Sequence, residues 1–322
     1  MLTRTKLIVL IAGIVICALV PPVAGATGED FYISLFARIM VFAIAAVSLD
    51  LILGFGGMIS FGHAAYLGLG AYAVGILSFY GINDGFLQFF VAIAGSALVA
   101  LIIGAICLRT RGIYFIMITL ALTQMLYFLG ISLDEYGGDD GLNTDRSEFF
   151  AWFDLYEEVN LYYLILVFLI LCVFIMHRVI NSRFGMVVRG CHANEDRMQA
   201  IGFPTFRYKL TAFVISGTMC GIAGALLANL TEFVTPEFMH WFRSGEIMIM
   251  VLVGGMGSLF GPAFGAAIYL LFEEWVPDLM EAVATGTGEN WHFIFGPLLV
   301  ILVLFAKQGL WGLVPDRGRR DG

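Results

Sequence analysis

The sequence predicts an all-α polytopic membrane protein with about ten transmembrane segments. Hydrophobic residues make up 60% of its 322 residues and charged residues only 13%, about half of the quarter that globular domains carry. A water-soluble domain of this size could not bury so much apolar surface. Apolar runs near the length of about 20 residues that crosses a bilayer recur along the chain. These observations exclude a soluble enzyme and a disordered chain.

We expect residues 1–322 to form a single transmembrane domain. The predicted spans cover residues 7–20, 31–53, 58–80, 85–108, 112–133, 159–180, 210–231 and 290–306, with a broken pair of spans over 245–275. Glycines and a proline at 254–262 interrupt that last segment, which then crosses twice in short passes or turns back as a re-entrant hairpin. Residues 1–26 resemble a cleavable signal peptide, but we expect them to be retained as a span.

The distribution of Lys and Arg orients these spans. With the N-terminus inside, the loops at 109–111 and 177–209 and the C-terminal tail fall on the same side as Arg4 and Lys6. That side then holds 14 of the 17 basic residues, as the positive-inside rule requires. The outer loops hold 20 of the 25 acidic residues. Both termini and the loop 182–209 are therefore predicted to be cytoplasmic, and residues 134–158 to lie on the opposite side.

Several kinds of chemistry are missing from the sequence. None of its three lysines follows a glycine, so the chain has no P-loop, and any ATP must be hydrolysed elsewhere. The five histidines lack metal-site spacing, and no nucleophile elbow is present. The pairs Glu157-Glu158 and Glu273-Glu274 are expected to mark wetted membrane boundaries. We therefore expect no metal site, no cofactor bound by this chain, no nucleic-acid partner and no enzymatic activity.

Two glycine-rich segments and one buried acid are candidates for a solute path. Residues 56–62 (GGMISFG) resemble residues 254–261 (GGMGSLFG) with one insertion, and such interruptions in corresponding places of two halves are typical of a transport site. Asp50 lies in an apolar run, where ionisable groups are often functional. Close helix packing, a position of Asp50 near the interface, or its pairing with His63 are the alternatives. The candidate residues are Asp50, Gly57, Ser60, Gly62, His63, Gly255, Gly257 and Ser258.

The loop 182–209 contains a short helix whose two ends are specified locally. Asn194 is a good N-cap, and Glu195 and Asp196 would occupy the first turn. Gly202 can supply the left-handed residue of a Schellman ending, in which Phe203 contacts Met198. A helix over 195–201 is therefore predicted, with Met198 and Ile201 exposed on one face. Such a face suits docking into a partner; the alternative is a helix lying flat on the membrane.

This loop also carries a family resemblance. Residues 184–230, together with SFGHAAYLGLGAY (60–72), VGGMGSLFGPAFGA (253–266) and KQGLWGL (307–313), resemble permease subunits of the branched-chain amino-acid ABC importer family, and in particular the M-type partner of the H/M pair. The family's E-A-A---G loop, which engages the ATPase, reads EDRMQAIG here; the Glu and Gly are kept and the two alanines after Glu are not. The resemblance implies coupling residues Arg189, Asn194, Glu195, Asp196, Met198, Ala200, Ile201, Gly202 and Phe203.

The resemblance further implies an ATP-driven importer in the bacterial inner membrane. Its partners would be a second, homologous permease, two cytoplasmic ATPase subunits, a periplasmic solute-binding protein and the lipid bilayer. Branched-chain amino acids are the implied substrate, with urea, amides or aromatic acids as alternatives within the family. An ion-coupled secondary transporter is the alternative from another mechanistic class, and a membrane-embedded enzyme is a third.

Overall fold

The computed structural model describes residues 4–28, 31–149, 154–283, 296–297 and 309–313. These residues form eleven α-helices: α1 (Arg4–Thr27), α2 (Phe31–Asp50), α3 (His63–Phe79), α4 (Gly85–Cys107), α5 (Ile113–Ile131), α6 (Glu158–Ile180), α7 (Arg183–Ala193), α8 (Glu195–Ala200), α9 (Thr205–Thr231), α10 (Trp241–Gly254) and α11 (Gly261–Val283). A π-helical turn, Leu51–Phe55, continues α2. Short 3-10 segments cover Asp134–Tyr136, Gly138–Asp140, Pro236–Met239 and Leu310–Leu313.

Among the described residues, five helical segments are long and apolar enough to cross a membrane: Phe31–Phe55, Gly85–Cys107, Ile113–Ile131, Glu158–Ile180 and Thr205–Thr231. The prediction of an all-α polytopic membrane protein is thereby confirmed. The helix at the predicted span 58–80 begins only at His63, because the glycine-rich stretch before it is not helical. The predicted span 290–306 lies outside the described residues, apart from 296–297.

Helix α9 is the centre of the bundle and packs against α2, α3 and α4. Glycines bring α3 and α9 into backbone contact. A Cβ added at Gly224 would collide with the carbonyl of Leu67, and one added at Gly70 would collide with the carbonyl of Gly221. Small residues at a crossing allow helices in a bilayer to approach this closely. Helix α2 is almost wholly enclosed by its neighbours, so it lies inside the bundle rather than facing lipid.

At one end of the bundle, the loop after α5 is held to the end of α9. Two short strands, β1 (Leu142–Asn143) and β2 (Phe233–Val234), pair antiparallel with Leu142 opposite Val234. The Ser147 amide donates a 2.7 Å hydrogen bond to Asn229 Oδ1, and Arg146 Nε lies 2.7 Å from Glu232 Oε1. This small ladder was not predicted from the sequence, since two-residue strands carry no usable periodicity.

The opposite end of the bundle gathers the basic loops. Arg111, between α4 and α5, contacts α8, and His192 of α7 lies against Gly57. The α10–α11 connection, residues 255–260, reaches the same end through contacts with Gly54. The loops at 109–112, 182–204 and 255–260 thus share one end, and the acidic loops at 134–149 and 232–240 share the other, the separation that the charge pattern predicts.

Candidate functional site

The short helix α8 has the two ends that the sequence specifies. Asn194 Oδ1 accepts a 2.9 Å hydrogen bond from the Arg197 amide at its N-terminus. At its C-terminus, Gly202 has φ +91°, and its amide donates to Gln199 O at 2.9 Å. The Phe203 amide donates to Met198 O at 3.1 Å. These bonds form the predicted Schellman ending, so both boundaries of the helix are fixed by residues within the loop itself.

The prediction that Met198 and Ile201 form one exposed apolar face of α8 is wrong for Met198. Met198 is not exposed beside Ile201, because its side chain packs onto α7: a Cβ added at Gly190 would lie 2.7 Å from Met198 Sδ. This contact was not predicted from the sequence, because α7 was not predicted. Helix α7 begins after Ser182, whose Oγ accepts a hydrogen bond from the Gly185 amide. Ile201 is 62% exposed and Phe203 is 37% exposed. The apolar surface presented outward is therefore Ile201 with Phe203.

Ion pairs tie α8 to the membrane helices. Lys209 Nζ of α9 lies 2.9 Å from Glu195 Oε2, and Arg111 Nε lies 3.5 Å from the same oxygen. Burial alone would raise the pKa of Glu195, but the hydrogen bond and charge of Lys209, with the charge of Arg111, hold that pKa below its usual value. Glu195 is therefore ionised at neutral pH, and its pairing is lost only as the pH falls through this lowered pKa.

Helix α7 connects α8 to the first glycine-rich segment. Gly57 has φ +66°, and a Cβ added there would collide with the imidazole of His192. Arg189 of the same helix donates to Ile180 O at 3.2 Å, which ties α7 to the end of α6. A movement of α8 would therefore act on the glycine-rich segment through Gly190 and His192.

Of the other predicted coupling residues, Asp196 lies 3.6 Å from Arg111 Nη1, and Ala200 is exposed.

Asp50 joins the two glycine-rich segments. Its Oδ1 accepts a 2.8 Å hydrogen bond from the Gly257 amide, and the residue is only 1% exposed. A Cβ added at Gly54 would collide with both Asp50 and Gly257. The alternative that Asp50 pairs with His63 is wrong, because His63 Nε2 lies 2.7 Å from Ser216 Oγ of α9. The break predicted at 254–262 is present, since residues 255–260 are not helical.

The remaining candidates for the solute path have packing contacts in this structure. Ser60 Oγ accepts from the Gly62 amide at 3.1 Å. Ser258 Oγ donates to Gly255 O at 2.7 Å and accepts from the Gly261 amide at 3.1 Å. Ser60 and His63 are fully buried, whereas Gly57 is exposed toward the basic end of the bundle. Their role in a solute path stays a prediction.

A cavity of about 210 Å³ lies where these elements meet. Its polar lining comes from Arg111, His192, Glu195 and Lys209, and Gly57 forms part of its wall. Sequence reasoning did not single out Arg111, His192 or Lys209 as site residues. The excess of basic residues in these loops could have indicated a cationic partner for Glu195. It was used only to predict which side of the membrane the loops occupy. Among the described residues, no three His, Cys, Asp or Glu side chains gather as a metal site requires.

Comparisons with known proteins give matches over most of the chain. A family profile described as "Branched-chain amino acid transport system / permease component" matches residues 31–304. The permease LivM of the high-affinity branched-chain amino acid transport system of Escherichia coli is 28% identical over 84% of this chain and 68% of its own length. A probable LivM of Methanocaldococcus jannaschii is 24% identical over 86% of this chain and 91% of its own.

The other permease of the Escherichia coli system, LivH, is also similar to this chain. It is 24% identical over 84% of this chain and 91% of its own length. No solved structure matches the chain significantly.

Proposed function

Because the chain belongs to the branched-chain amino acid transport permease family and is of the LivM type, we propose that it is one permease of an ATP-driven importer of branched-chain amino acids. The observation that carries the proposal is a family match over residues 31–304 in a chain that presents a capped helix, α8, at the basic end of its bundle. Relatives named LivM and LivH are both permeases, which supports a second, homologous permease as partner.

The remaining partners are proposed from the family resemblance. The sequence has no P-loop, so two cytoplasmic ATPase subunits would hydrolyse the ATP, and this chain would bind no cofactor itself. A permease of this kind receives its solute from a periplasmic binding protein. The proposed location is the bacterial inner membrane, with the bundle embedded in the lipid bilayer.

Uptake into proteoliposomes tests the substrate and the energy source together. The purified transporter, with both permeases, the ATPases and the binding protein, should accumulate labelled leucine only when ATP is supplied on the ATPase side. Excess unlabelled isoleucine or valine should compete, and urea or an aromatic acid should not. Accumulation driven by an ion gradient without ATP would instead identify a secondary transporter.

We propose ten spans, with both termini and the loop 182–209 in the cytoplasm and 134–158 in the periplasm. The split of basic residues, 14 of 17 on one side, supports this topology. A cysteine introduced by Ser182→Cys should be protected from an impermeant maleimide in whole cells, whereas Asp139→Cys should be labelled. The unsubstituted protein gives the background from its five cysteines. Labelling of Ser182→Cys from outside would reverse the topology.

Helix α8 is proposed to couple ATP hydrolysis to transport by docking into an ATPase subunit. Ile201→Asp should reduce both leucine uptake and co-purification of the ATPase at least about tenfold, the factor that corresponds to 1.4 kcal/mol. The helix should still form, because Asn194 and Gly202 fix its ends. Arg197→Ala, a change within the same helix that keeps the apolar surface, is the matched control. Normal ATPase binding by Ile201→Asp would show that Ile201 is not in the docking face.

A further inference from the structure

Two Arg–Glu pairs lie within the helical bundle, away from the site described above. In α10, Arg243 Nη1 lies 2.7 Å from Glu246 Oε2, and between α2 and α11, Arg38 Nη2 lies 3.3 Å from Glu273 Oε1. The four side chains are largely covered, with exposed fractions from 12% for Glu246 to 36% for Arg38. Glu273 is therefore paired with Arg38, and its position at a wetted membrane boundary stays a prediction.

In the proposed topology, the pair in α10 lies at membrane level. Glu246 and Arg243 precede Gly254, at the inner break, by eight and eleven residues, which places them about 12 and 17 Å above it along the helix. The hydrocarbon core of a bilayer is about 30 Å thick. Charged side chains at this depth are costly, and they commonly mark a solute or ion pathway.

A cavity of about 390 Å³ opens beside the α10 pair, within the range of about 300–1,000 Å³ usual for small-molecule sites. It is lined by Tyr127, Glu237, His240, Phe242, Arg243 and Glu246. The lining thus combines a cation, two carboxylates, an imidazole and two aromatic rings. The cavity extends from Glu237, in the loop before α10, to Glu246, in the second turn of α10. In the proposed topology it therefore leads from the outer surface into the membrane.

The lining offers a place for each part of an α-amino acid. Glu246 engages one nitrogen of Arg243, and a guanidinium has five N–H donors, so others remain for a carboxylate. The first turn of α10 adds its positive end on the same side. The Glu237 carboxylate, exposed at the mouth of the cavity, can accept an ammonium group. Tyr127 and Phe242, the latter 51% exposed, supply apolar surface for a hydrocarbon side chain.

The position of His240 is fixed within this lining. Its ring lies 5.1 Å from the ring of Tyr127 in an edge-on arrangement. Its Nδ1 accepts a 3.4 Å hydrogen bond from the Phe242 amide, so that in the neutral ring Nε2 carries the hydrogen and acts as a donor. The cavity therefore has donors at His240 and at Arg243, one nitrogen of which is taken by Glu246, and an acceptor at Glu237. This polarity suits a zwitterion.

We propose that this cavity binds the transported solute as a zwitterionic amino acid, with the carboxylate on Arg243, the ammonium on Glu237 and the side chain between Tyr127 and Phe242. The proposal rests on the proposed function as an amino-acid importer and names the residues that contact the solute. An uncharged solute such as urea would bring no ammonium group to the Glu237 carboxylate.

Occupancy of the cavity can be measured separately from uptake. In the complete reconstituted transporter, leucine should slow maleimide labelling of Phe242→Cys and leave labelling of Trp275→Cys unchanged, since Trp275 is 56% exposed and lies outside the cavity. Urea at the same concentration should protect neither position. Adding Glu237→Gln should raise the leucine concentration for half-protection at least about tenfold, equivalent to 1.4 kcal/mol. Glu135→Gln, an exposed acid outside the cavity, should not change it.

Two outcomes would overturn the assignment while leaving the proposed function intact. One is leucine uptake by the unsubstituted transporter with no protection of Phe242→Cys at any leucine concentration. The other is protection that survives both Glu237→Gln and Arg243→Lys, a change that keeps the charge but loses the planar fork. Failure of leucine uptake itself, with protection by a different solute, would instead contradict the proposed function.

Discussion

Replacing Gly224 with valine should prevent the folded protein from accumulating in the membrane. A Cβ added at Gly224 of α9 would collide with the carbonyl of Leu67 and would lie 3.0 Å from the Ala71 amide nitrogen. Backbone atoms cannot give way as a flexible side chain can, so α3 and α9 would have to separate along their crossing. Overpacking typically costs about 1–3 kcal/mol, occasionally more, and here it would also disturb the reciprocal contact of Gly70 with Gly221.

The amount of monodisperse protein extracted from membranes, and its thermal unfolding midpoint, measure this effect. Gly95→Val is the matched control, because Gly95 lies within α4 and a Cβ added there meets nothing within 4 Å. Both variants carry the same helix-propensity change, so their difference isolates the contact between helices. Equal yields and midpoints for the two variants would show that α3 and α9 do not cross as closely as described.

Asp50→Ala should abolish ATP-driven leucine uptake without removing the protein from the membrane. The change leaves the Gly257 amide without the acceptor that Asp50 Oδ1 provides at 2.8 Å, and a hydrogen bond within a protein contributes about 0.5–1.5 kcal/mol. It also disconnects the end of α2 from the break between α10 and α11. We expect uptake to fall at least about tenfold, the factor that matches 1.4 kcal/mol.

Asp50→Asn is the informative comparison for this residue. The amide keeps an oxygen at the position of Oδ1 while it removes the ionisable carboxyl group, so the hydrogen bond to Gly257 can persist. Uptake by Asp50→Asn should therefore stay well above that of Asp50→Ala, and co-purification of the ATPases should be normal in both. If both variants lose uptake equally, the charge of Asp50 matters rather than the link to Gly257.

Features encoded by neighbouring residues could be predicted from the sequence. The ends of α8 depend on Asn194, Gly202 and Phe203, whose hydrogen bonds reach only three to five residues along the chain. The break at 255–260 likewise follows from its own glycines. The spans follow from apolar composition, and the grouping of loops at the two ends follows from charge.

Contacts between distant segments could not be predicted in this way. The hydrogen bond from the Gly257 amide to Asp50 joins residues 207 positions apart, and no periodicity specifies such a partner. Met198 was expected to be exposed because α7 was not foreseen, and it is α7 that offers Gly190 for it to pack on. Arg243 and Arg38 looked like exceptions to the charge rule, whereas each has a glutamate partner in the folded bundle.

The ladder between β1 and β2 has a consequence for biosynthesis. Leu142 pairs with Val234, 92 positions later, and α6 and α9 lie between them. The loop after α5 therefore cannot reach its final conformation until both of these helices have been synthesised. At about 5–20 residues per second, the ribosome needs about 5–18 s to make the intervening chain. During that interval Arg146, which later pairs with Glu232, has no native partner for its charge, and the loop is open to proteases and chaperones.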